Sequence, residues 1–156
     1  MSRVKPNYFF IPLFVIITAS AASYFAETGR AWYKTINLPD WTPTGSIMVL
    51  AWSIIFVLSS LTLLIIWNKH SSEKNFGVII ALFVLNAILI VGWNILFFSY
   101  QELGLAFFLA VLLIANLFLL IFFIWRLSPW AAFLLVPYSL YLLFSTVLTF
   151  NVWMMN

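Results

Sequence analysis

The chain has 156 residues, of which 65% are hydrophobic, 20% aromatic and 7% charged, with a mean hydropathy of +1.13. Soluble domains carry about a quarter charged residues, so this composition excludes a soluble fold and implies an integral membrane protein. The net charge of +3 comes from scattered basic residues that form no stripe with exposed aromatics, so no nucleic-acid partner is expected. With no cysteine, disulfides, thiolate catalysis and thiolate-bound metals are excluded.

Five runs lack Asp, Glu, Lys and Arg: Tyr8 to Ala26, Ile47 to Trp67, Asn75 to Tyr100, Leu103 to Trp125 and Leu127 to Asn156. Each is near or above the ~20 residues that a helix rising ~1.5 Å per residue needs to cross a ~30 Å hydrocarbon core. None alternates in polarity as barrel strands do. The expected fold is an all-α bundle of five transmembrane helices in a single domain, with spans at about 8–26, 47–67, 76–100, 103–125 and 129–154.

The first run follows Arg3 and Lys5 and ends near Ala19-Ser20-Ala21-Ala22, a leader-like pattern, but it is long enough to span and is read as a span. Between it and the second run lies the one long polar and aromatic interruption, Glu27 to Gly45, which contains Trp32, Tyr33, Trp41, Pro39 and Pro43. A loop of that length exceeds the usual connection in a bundle, and its aromatics and prolines suit a shaped lid. The later connections are short, so their helices pack antiparallel. Pro12 and Pro137 fall inside spans, where each removes a backbone bond, while Pro129 starts the fifth.

Arg3, Lys5, Lys69, Lys74 and Arg126 fall on one side and only Arg30 and Lys34 on the other. The positive-inside rule then predicts a cytoplasmic N-terminus in the cell membrane and a lid on the outside.

No ionisable side chain lies within a predicted span, so proton relays and gating charges lack their parts. His70 sits in the charged loop Lys69 to Lys74 with no second ligand near, so no metal site is expected. No hydrolase, zincin or nucleotide-binding motif is present.

Aromatic and amide chemistry remains. Trp52 and Phe56 share a face of the second span. Asn86, Ile90, Trp93, Asn94 and Phe97 form a stripe on the third, and Tyr138, Tyr141, Ser145, Leu148 and Thr149 a mixed stripe on the fifth. Together the stripes are expected to enclose a cavity. Trp67, Trp125, Trp130 and Trp153 lie near span ends and read as interfacial anchors. Asn116 and Asn151 read as interhelical hydrogen bonders, and Gly77 with Ala81 as a close-packing pair.

Several motifs recur in a fixed order: Trp32-Tyr33, Leu38-Pro39-x-Trp41-x-Pro43, Trp52 with Phe56, Trp93-x3-Phe97-Phe98, Gly104-Leu105-Ala106, Trp125-Arg126-x-Ser128-Pro129 and Val136-Pro137-Tyr138. From about Ala31 onward the chain resembles the tryptophan-rich sensory protein, or translocator protein (TspO), family.

The resemblance implies a five-helix bundle, a homodimer, and a pocket under the first long loop for porphyrins and related tetrapyrroles. It implies ligand contacts from Trp32, Tyr33 and Pro43 in the lid, Met48, Trp52 and Phe56 in the second span, Trp93 and Asn94 in the third, and Tyr141 and Ser145 in the fifth. A polar Asn of the family falls on Ile90 and an Asp on Leu109; Asn86 or Asn94 is the expected substitute. A second pocket tryptophan falls on Tyr141, and Thr44 replaces a second proline after Pro43. Arg126 is the last basic residue and precedes Tyr138 and Tyr141, so no sterol motif is formed.

Three functions follow as expectations. The first is a receptor or carrier for a tetrapyrrole, bound as a ligand with no resident cofactor. The second is a light-dependent porphyrin-degrading enzyme that uses Trp52. The third is a stress-signalling scaffold whose cavity holds only membrane lipid.

Overall fold

The computed structural model describes residues 5–156; Arg3, used in the orientation count, lies outside them. A hydrocarbon solvent offers backbone groups no partners, so a spanning segment must close its hydrogen bonds internally. The apolar runs accordingly form helices: α1 (Asn7–Thr28), α2 (Arg30–Tyr33), α3 (Gly45–His70), α4 (Phe76–Asn94), α5 (Leu103–Trp125), α6 (Pro129–Phe133) and α7 (Val136–Met155). No strand occurs among the described residues. Five segments are long and apolar enough to cross a membrane: Asn7–Thr28, Gly45–His70, Phe76–Ser99, Leu103–Trp125 and Pro129–Met155. The protein is a multi-pass integral membrane protein.

Three local departures from continuous helix shape the molecule. The lid contains the short helix α2. The third span ends in a π-helical turn, Ile95–Ser99, closed by Tyr100 N–H donating to Ile95 O at 2.9 Å and Glu102 N–H to Leu96 O at 2.9 Å. Gln101 then takes φ 60°, which reverses the chain into α5. The fifth span is broken between α6 and α7. Ser128 caps α6, its Oγ accepting from Ala131 N–H at 3.3 Å, with Pro129 in the first turn. Pro137 has no N–H to give to the Phe133 carbonyl, so the helix restarts one turn later.

The spans close into a ring. α1 packs between α3 and α4, α5 lies between α4 and α7, and α3 meets α6 and α7 to complete the circuit. The main core includes Ile55, Ile66, Ile79, Leu117, Leu120, Ile124 and Leu135. Thr62 Oγ1 ties α3 to α6 by donating to Ala131 O at 3.1 Å.

The centre of the ring is polar. Asn86 Nδ2 donates to Asn116 Oδ1 at 3.0 Å, Tyr138 Oη donates to Asn86 Oδ1 at 3.1 Å, and Asn116 Nδ2 reaches Leu82 O at 3.3 Å. This network joins the third, fourth and fifth spans, and Tyr138 is almost wholly buried. Asn116 therefore bonds across helices as expected. Asn151 does not: its Nδ2 donates to Val147 O of its own helix at 2.8 Å.

The close-packing pair is also displaced. A Cβ at Gly77 would meet nothing, whereas one at Gly29 would overlap the Phe98 carbonyl and lie 2.7 Å from Phe98 Cα, and one at Gly104 would come within 3.1 Å of the Trp153 ring. Trp153, expected as an anchor, is half-buried and stacks on Phe107 at 5.8 Å.

Interhelical hydrogen bonds in membranes average ~0.6 kcal/mol and reach about 1.7. Asn86→Leu removes two of them and should destabilise the folded protein by about 1–2 kcal/mol, measured by reversible unfolding in mixed detergent micelles. Asn151→Leu, which loses only an intrahelical bond, should be near neutral; equal costs for the two variants would contradict the network's role.

Candidate functional site

The lid is fixed at both ends and along its length. Gly29 starts it by passing against the Phe98 backbone, an approach that only a residue without Cβ allows. The Thr28 and Ser99 hydroxyls meet at 2.8 Å. Further on, the Asn156 side chain clamps Asn37: its Oδ1 accepts from Asn37 N–H at 2.8 Å and its Nδ2 donates to Asn37 O at 2.9 Å. Asn37 Nδ2 also donates to Met155 O at 3.3 Å. The lid thus bridges the end of the first span and the end of the fifth.

Beneath it lies a second, aromatic core. Trp32 meets Phe97 edge-on at 5.8 Å, Tyr33 lies 5.7 Å from Phe98, and Trp93 stacks on Phe97 at 4.9 Å. Phe97 and Phe98 belong to the π-helical turn, whose extra residue alters which way side chains project from the end of the span. Trp41 covers the α7 side, 5.5 Å from Phe144. Burial pushes the Tyr33 hydroxyl above its ordinary pKa of 10.0.

Below this layer Trp52, Trp93, Asn94 and Ser145 converge on one small cavity of ≈ 10 Å³, completed by Ile90, Ala110, Leu113 and Leu142. Four residues singled out from sequence are therefore brought together. Trp52 continues the aromatic surface, 5.7 Å from Phe56 and 5.7 Å from Tyr141. Phe56 and Asn86 line a neighbouring crevice of ≈ 30 Å³ with Thr18, Ile55 and Tyr138. Pro43 and Met48 are half-buried near the start of α3 and line neither space. Trp32 and Tyr33 line neither space and pack on Phe97 and Phe98 above it.

Ligand pockets usually enclose about 300–1,000 Å³, so this site is closed on its own side chains. Two of the closing groups stand where the resembling family carries polar residues. Ile90 is 5% exposed and lines both spaces. Leu109 packs against Gly92, its Cδ2 3.1 Å from where a Cβ would sit.

The polar groups divide sharply. Asn86, an expected substitute anchor, has both amide atoms engaged within the bundle, its Nδ2 donating to Asn116 and its Oδ1 accepting from Tyr138, so its orientation is set by the network. Asn94 Nδ2 donates to Ile90 O at 2.9 Å. The Trp93 indole N–H is buried and has no hydrogen-bond partner. An unpaired buried donor costs about 1–3 kcal/mol, and this one borders the cavity under the lid.

The fold is a multi-pass membrane protein of five spans with an aromatic layer under a structured first loop. The sequence model described as the TspO/MBR family matches residues 9–154. Bacillus cereus Tryptophan-rich protein TspO is 34% identical over 81% of this chain and 82% of its own length. Bacillus subtilis Uncharacterized membrane protein YtaB is 31% identical over 94% and 95%, and the Translocator protein of Ovis aries 28% over 85% and 79%. The chain belongs to the TspO/MBR family.

Because the docked lid favours protonated Tyr33, that contribution is complete below pH ~10 and is lost as pH rises through the raised value. Acrylamide quenching of tryptophan fluorescence should therefore increase at alkaline pH more in the wild type than in Tyr33→Phe. Superimposable pH curves would contradict the docking contribution.

Proposed function

We propose that the protein is a membrane receptor or carrier that takes a hydrophobic planar ligand, a porphyrin or related tetrapyrrole, into the aromatic site under the lid. In this reading it sits in the cell membrane with its N-terminus in the cytoplasm and the lid outside, the orientation that its excess of basic residues on one side favours. The observation that carries the reading is the buried Trp93 N–H without a partner, on a residue that lines the same cavity as Trp52, Asn94 and Ser145. A tetrapyrrole supplies a flat π-face for Trp52 and Tyr141 and an acceptor for the indole N–H.

Admission requires the site to open. The Asn37–Asn156 clamp ties the middle of the lid to the end of the fifth span, and its release is the step that frees the lid. Trp52, Phe56 and Tyr141 then separate to receive the ring. No acid or base borders the cavity, which favours binding over acid–base chemistry.

Titration with protoporphyrin IX, followed by quenching of tryptophan fluorescence, tests this. Trp52→Ala and Tyr141→Ala should each weaken binding by about tenfold or more, equivalent to ~1.4 kcal/mol, and Trp93→Phe should weaken it by several-fold through loss of the N–H alone. Asn156→Ala should accelerate association while changing affinity little. Unchanged affinities in all three pocket variants would sink the proposal.

A further inference from the structure

A concavity of ≈ 640 Å³ lies not under the lid but at the opposite end, between the start of α1, the end of α3 and the start of α4. Its deep walls are apolar, formed by Phe10, Ile11, Phe14, Leu63 and Phe83, and its mouth is polar, with Lys5, Asn7 and Asn68. Asn7 is 7% exposed, yet its Nδ2 has no partner, and the Oδ1 of Asn68 has none either. The Asn68 amide is oriented by its Nδ2, which donates to Leu64 O at 2.9 Å, leaving the oxygen turned away from its helix. One unpaired donor and one unpaired acceptor, both enclosed, thus belong to residues that line the same cleft, where an apolar solvent leaves both uncompensated.

Depth identifies the occupant. Trp67 lines the mouth and is held edge-on against Phe76 at 5.2 Å, at the level where tryptophans meet lipid headgroups. From Asn7 to Phe14 the helix descends about 10 Å, so the polar mouth lies at headgroup depth and the apolar floor at acyl depth. Charge selects among lipids. This end carries Lys5, Lys69, Lys74 and Arg126 against Glu73 alone among the described residues, a balance that attracts anionic headgroups.

We propose that this cleft binds one anionic glycerophospholipid with a hydroxylated headgroup. Its acyl chain lies along Phe10, Phe14 and Phe83, its phosphate accepts from Lys5 and the Asn7 amide, and a headgroup hydroxyl donates to Asn68 Oδ1. A zwitterionic choline headgroup lacks that donor and brings a cation toward Lys5. The site shares no residue with the cavity lined by Trp52 and Trp93 and meets the neighbouring crevice only at Phe14, Leu63 and Phe83, so its polar contacts are tested independently of the tetrapyrrole reading.

Native mass spectrometry of the full chain, released from mixed micelles containing equal phosphatidylglycerol and phosphatidylcholine of matched chains, provides the test. The wild type should retain one phosphatidylglycerol with a preference of about fivefold or more, the increment expected from one basic residue at the membrane surface. Lys5→Gln with Asn7→Leu should bring the preference close to unity. Val84→Trp, which fills the cleft from the α4 side without touching the polar groups, should abolish retention. Helix content and protoporphyrin titration should be unaffected in both. Equal retention of the two lipids by the wild type, a preference that survives both variants, or displacement by soluble glycerol 1-phosphate at equal concentration would each overturn the lipid assignment.

Discussion

Everything in this structure follows from a solvent that cannot hydrogen-bond. In the hydrocarbon core a polar side chain must find its partner inside the protein, and most here do so at once. Thr18, Ser53, Thr146, Thr149 and Asn151 each donate to the carbonyl four residues earlier. Such bonds hold nothing together between helices. The groups that depart from this habit are therefore the informative ones: Asn86, Asn116 and Tyr138 join three spans, and Trp93, Asn7 and Asn68 retain atoms without partners.

Those orphaned atoms lie at opposite ends of the bundle, and each borders a cavity. Near the lid the cavity is almost filled, with Ile90, Leu113 and Leu142 among the side chains that close it. At the basic end it is wide and open to lipid. The contrast has a simple origin. The lid end is sealed by a dense aromatic layer, Trp32, Tyr33, Trp93, Phe97 and Phe98, hinged at Gly29. At the other end, among the described residues, α1 meets α3 and α4 with only the short connection 71–75 between the latter two.

The five spans were legible in the sequence because charge-free runs of the right length have one stable form in a membrane. Their inward faces were not. Helices that are apolar all round carry no periodic signal for a core face, so the Asn86 stripe read equally well as a ligand wall and as a packing seam. The π-helical turn left no mark either, since Ile95–Ser99 is as oily as the helix it ends. The break before α7 was announced by Pro137. Among candidate site residues, Trp52, Trp93, Asn94 and Ser145 do converge, but the cavity's small size depends on side-chain packing that spacing cannot reveal. The cleft at the basic end was hidden because Lys5, Trp67 and Asn68 each had an ordinary explanation as a topology signal, an anchor or a loop residue. Only their meeting with the buried Asn7 singles them out.

Two cavities at opposite ends make the location of the tetrapyrrole the decisive issue. Hydrogen–deuterium exchange of the protein in lipid nanodiscs, with and without protoporphyrin IX, reads that location directly. Binding beneath the lid should alter protection across residues 30–44 and in the π-helical turn Ile95–Ser99, and leave the start of α1 and the end of α3 unchanged. Protection confined to the Asn7 and Asn68 end, with the lid unaffected, would contradict it.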